Sequence, residues 1–142
     1  MRDPLFLSAW SAESDRTAVV AEEEGSVWLY LTEPGGDQPA HDCWLFNTPD
    51  APDEPDLQRY EQARVPPPAP RRMIEPEGVR EIPTEGSWEF VWSDDGETVA
   101  VSHDDEILGI ITAESERGFS RYLRDSGAWG NAWDDELLGE LL

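Results

Sequence analysis

The chain contains no lysine. That absence removes Schiff-base catalysis and the lysine of a phosphate-binding loop. All ten basic residues are arginine, set against 32 acids for a net charge of −22. Charge of this sign repels a phosphate backbone and an anionic membrane surface, so the chain is expected to bind neither nucleic acid nor membrane directly. The single cysteine, Cys43, leaves no intramolecular disulfide. No stretch approaches the length of a membrane span. The apolar start of "MRDPLFLSAW" is broken by Ser8 before it reaches signal-peptide length, so a cytoplasmic location is expected. No segment repeats with a period of tens of residues.

What is present is enough for one ordinary core. The 142 residues are 38% hydrophobic and include seven tryptophans, so residues 1–142 are read as a single domain. The acidity reflects genome composition, adaptation to salt, or a basic protein partner drawn in over a Debye length.

The first third reads as hairpin after hairpin. Strands are expected at Leu5 to Trp10, Arg16 to Glu23, Ser26 to Thr32 and His41 to Asn47, separated by "SAESD", Glu24-Gly25 and "EPGGDQP". From Pro49 to Pro70 the chain carries seven prolines. Because proline lacks the backbone donor, residues 48–70 are expected to form a surface connection with one short helical turn around "EPDLQRYEQAR". "RRMIE" reads as a short strand or edge segment. In "SWEFVWS", Trp88, Phe90 and Trp92 alternate against Glu89 and Val91, and "ETVAVSH" and "EILGIIT" follow after tight turns at "DDG" and "DDE". Near the end the period changes. Phe119, Tyr122 and Leu123 fall at helical spacing, and "NAWDDELLGELL" suggests a second helix capped by Asn131, with Trp133, Leu137, Leu138 and Leu141 on its apolar face. The expected class is α+β: an antiparallel sheet of six to seven strands, with C-terminal helices packed on one face.

The chemistry-bearing residues are sparse. Taking Gly96 as the sixth position of a calcium loop puts Val91 first, so that pattern fails. His41 and Cys43 share a strand face at about 6.5–7 Å, too far for a direct thiol–imidazole bond of about 3 Å. Neither a metal nor a cofactor is expected. Carboxylate pairs are abundant, so each is explained by a solvated turn or helix start as readily as by acid–base work. Trp129 and Trp133, beside Asp134 and Asp135, read either as interface anchors or as core plugs.

Four stretches, "VWLYLTEPG", "DCWLFN", "WSDDGETVAV…DDEILGII" and "GFSRYL…GAWGNAWDDELL", in this order resemble bacterial immunity proteins of polymorphic or contact-dependent toxin systems. The resemblance covers most of the chain outside the proline-rich middle. It implies a non-catalytic protein that binds a cognate toxin with a basic surface, nucleases among them, and masks its active surface. On that reading Asp94, Asp95, Asp104, Asp105, Glu106, Asp134 and Asp135 face the partner, with Trp129 or Trp133 as anchor. A generic regulatory or structural binding module and a carboxylate-dependent enzyme are the alternatives.

Overall fold

The computed structural model describes residues 3–136. The first four strands are β1 (Phe6–Trp10), β2 (Thr17–Glu23), β3 (Ser26–Thr32) and β4 (Pro39–Asn47), paired in chain order as an antiparallel meander. A second sheet carries β5 (Trp88–Trp92), β6 (Thr98–His103), β7 (Glu106–Thr112), β8 (Phe119–Ser120) and β9 (Asn131–Ala132). All of its pairings are antiparallel except β8 with β9, which is parallel. Helix α1 (Leu57–Ala63) and two 3-10 turns, at Arg71–Met73 and Pro76–Gly78, lie in the connection between the sheets. No helix among the described residues is long and apolar enough to cross a membrane.

The two sheets share one apolar cluster. Val20, Leu29 and Leu31 of the first meet Val99, Val101 and Ile111 of the second, all fully buried. Trp88, Phe90 and Trp92 pack on the same cluster, as their alternation with exposed Glu89 and Val91 requires. Close approach of the sheets is set at Gly109, where an added Cβ would sit 2.6 Å from Leu45 Cδ2 and 3.2 Å from Cys43 Sγ.

The proline-rich stretch is a strap held by buried polar groups. Asn47, fully buried, accepts from Ala69 N at 3.0 Å and donates to Ala69 O at 2.8 Å, while its Oδ1 also accepts from Trp44 Nε1. Trp129 Nε1 donates to Pro67 O at 3.0 Å. Prolines supply carbonyls but no donors, so a strap of this composition must be fastened by side chains from outside it. Within it, α1 forms where the helical turn was expected and is capped at both ends: Asp56 accepts from Arg59 N, and Arg64 ends the helix in the left-handed region at φ 57°.

The C-terminal expectation is corrected. Residues 119–120 and 131–132 are short strands, so the sheets hold nine strands among the described residues instead of six or seven in one sheet. No C-terminal helix packs on a sheet face among the described residues, and Leu137 to Leu142 lie outside them. The helical spacing of Phe119, Tyr122 and Leu123 arises from a turn. Phe119 packs beside Ala100 and Ile110 in a small cluster, whereas Tyr122 and Leu123 reach the main core. Gly118 lets this segment run against β7, since a Cβ there would meet Ile111 Cγ1 at 2.7 Å. "RRMIE" is likewise a 3-10 turn followed by one bridge, Ile74 to Leu123, in place of a strand.

Candidate partner-binding surface

Successive hairpins put alternate turns at opposite ends of a sheet. The Asp94-Asp95 turn precedes β6 and the Asp104-Asp105 turn follows it, so the two lie a strand length apart, roughly 17 Å for six residues. Sequence alone assigns both turns to one partner-facing surface; β6 sets them at opposite ends of its sheet.

It also gives each turn different neighbours. The Ser93–Glu97 turn, the Ser11–Arg16 turn, the Glu33–Gln38 loop and the Ala113–Gly118 loop are bound together at one end. Arg16 Nε meets Glu97 Oε2 at 3.1 Å, Gly35 N donates to Asp15 O at 2.7 Å, and Ala113 N donates to Glu97 O at 2.8 Å. His41 Nδ1 lies 2.6 Å from Ser115 O, and Gly118 N donates to Asp42 O at 2.8 Å. Gly96, at φ 72°, is buried against the first turn, where a Cβ would stand 2.6 Å from Ser14 Oγ.

The charge at this end is lopsided. The first turn brings Glu13 and Asp15, and the second loop Glu33 and Asp37. The third adds Asp94, Asp95 and Glu97, and the fourth Glu114 and Glu116. All but Glu97 are exposed, and the same loops hold only Arg16 and Arg117 in return. Asp95 is held below the ordinary carboxylate range by bonds from Glu97 N and Ser93 Oγ. Beside this end stands Trp10, 61% exposed, its Nε1 donating to Asp15 Oδ1 at 2.9 Å. Sequence reading placed Trp10 in the first strand without saying which face it occupies. The signal was Ser8 between Phe6 and Trp10, since a polar residue on a strand face marks the wet side.

The other expected residues have structural partners. Asp104 Oδ1 accepts from Ser87 N at 2.9 Å, and the left-handed φ of Asp104 and Asp105 makes the tight turn. Glu106 accepts from the Tyr122 hydroxyl and lies 3.7 Å from Arg80 Nη1. Burial first, then that bond to Glu106, pushes the Tyr122 hydroxyl up to about 12. Trp129 is 6% exposed, and its backbone carbonyl accepts from Trp44 N at 2.9 Å. It is a core plug, and its ring is not offered to a partner. Trp133 is half-buried on the small Ala100–Ile110 cluster, with the Arg121 guanidinium 4.5 Å from its ring. Trp133 Nε1 donates to Asp135 Oδ1 at 2.7 Å, and Asp134 and Asp135 are exposed near the edge of the described residues. The Cys43 thiol is enclosed, directed at Phe119 O, and raised above its ordinary pKa by burial.

A second feature lies on the outer face of the first sheet. Phe6, Val19, Ala21 and Tyr30 line an open groove of about 420 Å³ with Pro39 and Pro66, and Glu23, Asp37 and Arg64 add charge to its lining. Tyr30 donates to Glu23 Oε1 at 3.1 Å. Burial raises the carboxyl pKa of Glu23, opposed by that bond. Burial also raises Asp42, paired across the strands from Tyr30, against the lowering pull of Arg117. Asp42 Oδ1 is enclosed without a hydrogen-bond partner among the described residues.

No protein-family model, no curated protein and no solved structure matches the chain. The arrangement itself offers two things: a strongly anionic loop end with an exposed tryptophan, and an apolar groove that opens toward it at Asp37.

Proposed function

We propose that this protein is a non-catalytic acidic binding protein, an immunity protein that acts in the cytoplasm by covering the active surface of a cognate toxin with a basic surface. The observation that supports this reading is the loop end, where nine carboxylates from four loops stand together and the exposed Trp10 lies beside them, bonded to Asp15. Acidic loops steer a basic partner into encounter, and a large aromatic at their margin supplies the buried contact that slows dissociation. The partner-facing set moves accordingly. Asp94 and Asp95 stay in it, Trp10 takes the place of Trp129, and Asp104, Asp105 and Glu106 fall outside it.

Co-expression with the product of the gene immediately upstream tests the reading, scored by host survival and by a complex on a sizing column. Neutralising Glu33, Asp37, Asp94 and Asp95 together should slow association about tenfold at low salt and flatten its salt dependence. Neutralising Asp104 and Asp105 should change the association rate less than twofold. Equal effects from both sets would sink the surface assignment. Neither toxicity nor a complex would favour the generic binding module.

One observation favours the enzyme reading. Glu23 lines a concave site with its pKa raised, a pattern common among acid–base residues. A turnover found in a substrate screen and lost in Glu23→Gln would establish it.

A further inference from the structure

Hollows of different character open on the surface of the described residues. One, of about 320 Å³, is lined by Glu24, Asp50 and Arg59 and is spanned by its own ion pair, Arg59 to Glu24 at 3.7 Å. Another, of about 210 Å³, is lined by Arg71 and Arg124, and Arg71 is already paired with Asp53 at 3.4 Å. The groove on the first sheet differs from both. Its floor is apolar, and no segment among the described residues fills it.

The floor follows from register. Phe6 pairs with Ala21, and Val19 with Tyr30, so these four side chains share the face opposite the core. β1 is an edge strand, so the Phe6 wall borders open solvent, and Phe6 itself is 67% exposed. The opposite wall is the strap at Pro66, with Pro39 at one end. Prolines offer no backbone donor, so Pro39 and Pro66 present carbon and carbonyl oxygen here. Glu23 lies toward the end of β2, and Asp37 lies in the loop beyond β3, so carboxylates stand at both ends of the floor. Among the described residues Arg64 is the only base that lines it.

An apolar floor between two carboxylates fits a particular chemistry: apolar side chains interleaved with cations, whose aliphatic stems lie on carbon while their heads reach the acids. A second copy of this chain is a poor occupant, because it would bring another net charge of −22 to an acidic lining.

We propose that the groove receives an extended segment of the basic partner in which apolar side chains alternate with lysine or arginine. This rests on the proposed function in taking the partner to be basic. Its failure is separable, because the groove reads apolar content whereas the loop end reads charge. A cation beside Glu23 also favours the ionised form that burial opposes.

The test uses the full chain and fluorescently labelled octapeptides, read by anisotropy. The probes are alternating Lys–Leu, alternating Lys–Ser and alternating Glu–Leu. Lys–Leu should bind at least tenfold more tightly than Lys–Ser, and Glu–Leu should not bind measurably. Phe6→Ser and Val19→Ser should each cut the Lys–Leu advantage to less than threefold. Phe6 is exposed, so its variant stays folded even if Val19→Ser does not. Neutralising Glu33, Asp94 and Asp95, which do not line the groove, should weaken both lysine peptides by the same factor and leave their ratio intact. Equal binding of Lys–Leu and Lys–Ser, or an advantage that survives Phe6→Ser, would overturn the proposal while leaving the acidic loop end untouched. Self-association on ultracentrifugation that Phe6→Ser abolishes would overturn it in favour of a contact between copies of this chain.

Discussion

Asn47 and Ala69 exchange two hydrogen bonds across 22 residues of sequence, and this pairing fastens the proline strap to the end of β4. Asn47 Oδ1 also accepts from Trp44 Nε1 at 2.8 Å, so a single amide satisfies two donors and one acceptor in a dry site. Asn47→Ala should therefore destabilise the fold by about 3 kcal/mol, since each orphaned buried group costs roughly 1–3 kcal/mol. That corresponds to a fall of roughly 10 °C in Tm for a chain of this size. Asn47→Asp should be no milder, because its second oxygen would face Ala69 O. Thermal unfolding by circular dichroism measures both.

Gly96 is where the two sheets' turns meet. Its φ of 72° suits glycine, and an added Cβ would collide with Ser14 Oγ at 2.6 Å. Gly96→Ala should cost about 2 kcal/mol from the left-handed backbone and the lost turn contact together. Adding Ser14→Gly should recover part of the loss. A double-mutant cycle in urea gives the coupling.

Trp10 and Trp129 should behave oppositely. Trp129→Ala removes a ring that is 6% exposed and a hydrogen bond to the strap, at about 3–5 kcal/mol. Trp10→Ala alters an exposed side chain and should leave stability within about 0.5 kcal/mol. Its effect should appear in partner dissociation instead, accelerated at least tenfold. Denaturant melts and surface plasmon resonance separate the two.

Acidification should first stabilise the protein. The Glu23 and Asp42 carboxyls hold their protons more tightly in the folded chain than the ordinary values of 4.5 and 3.8. Above those values the folded state binds more protons than the unfolded one, so stability falls as pH rises through the raised folded values. Lowering pH from 7 toward 5 should therefore raise Tm, helped by relief of repulsion among 32 acids. Glu23→Gln should raise stability at pH 7 and flatten this dependence. Scanning fluorimetry across pH 4.5 to 8 reads both effects.

Much of the fold was legible in the residues. β3 spans Ser26–Thr32 as its aromatic and β-branched run requires, and the tight turns at Gly25, Gly96 and Asp104-Asp105 fall where their residue types place them. Strand alternation at Trp88, Phe90 and Trp92 gave the correct inner face. These features are local: a period of two, a residue that tolerates positive φ, or a missing donor acts within a few residues. Net charge, the absence of lysine and the lone cysteine were likewise fixed by composition.

The tertiary structure decided the rest, because the rest depends on distances between parts of the chain remote in sequence. Helical spacing at Phe119, Tyr122 and Leu123 yielded to strand pairing, since Gly118 and β7 reward an extended backbone there. Trp129 and Trp10 are the same residue type on short apolar stretches. One is buried beneath the strap and the other is open beside Asp15. Asp94-Asp95 and Asp104-Asp105 read alike along the chain, yet β6 carries them to opposite ends of the sheet. Local sequence specifies which turns are acidic. Only the packing of two sheets decides which acids stand together, because charge density depends on separation in space, and the fold alone sets that separation.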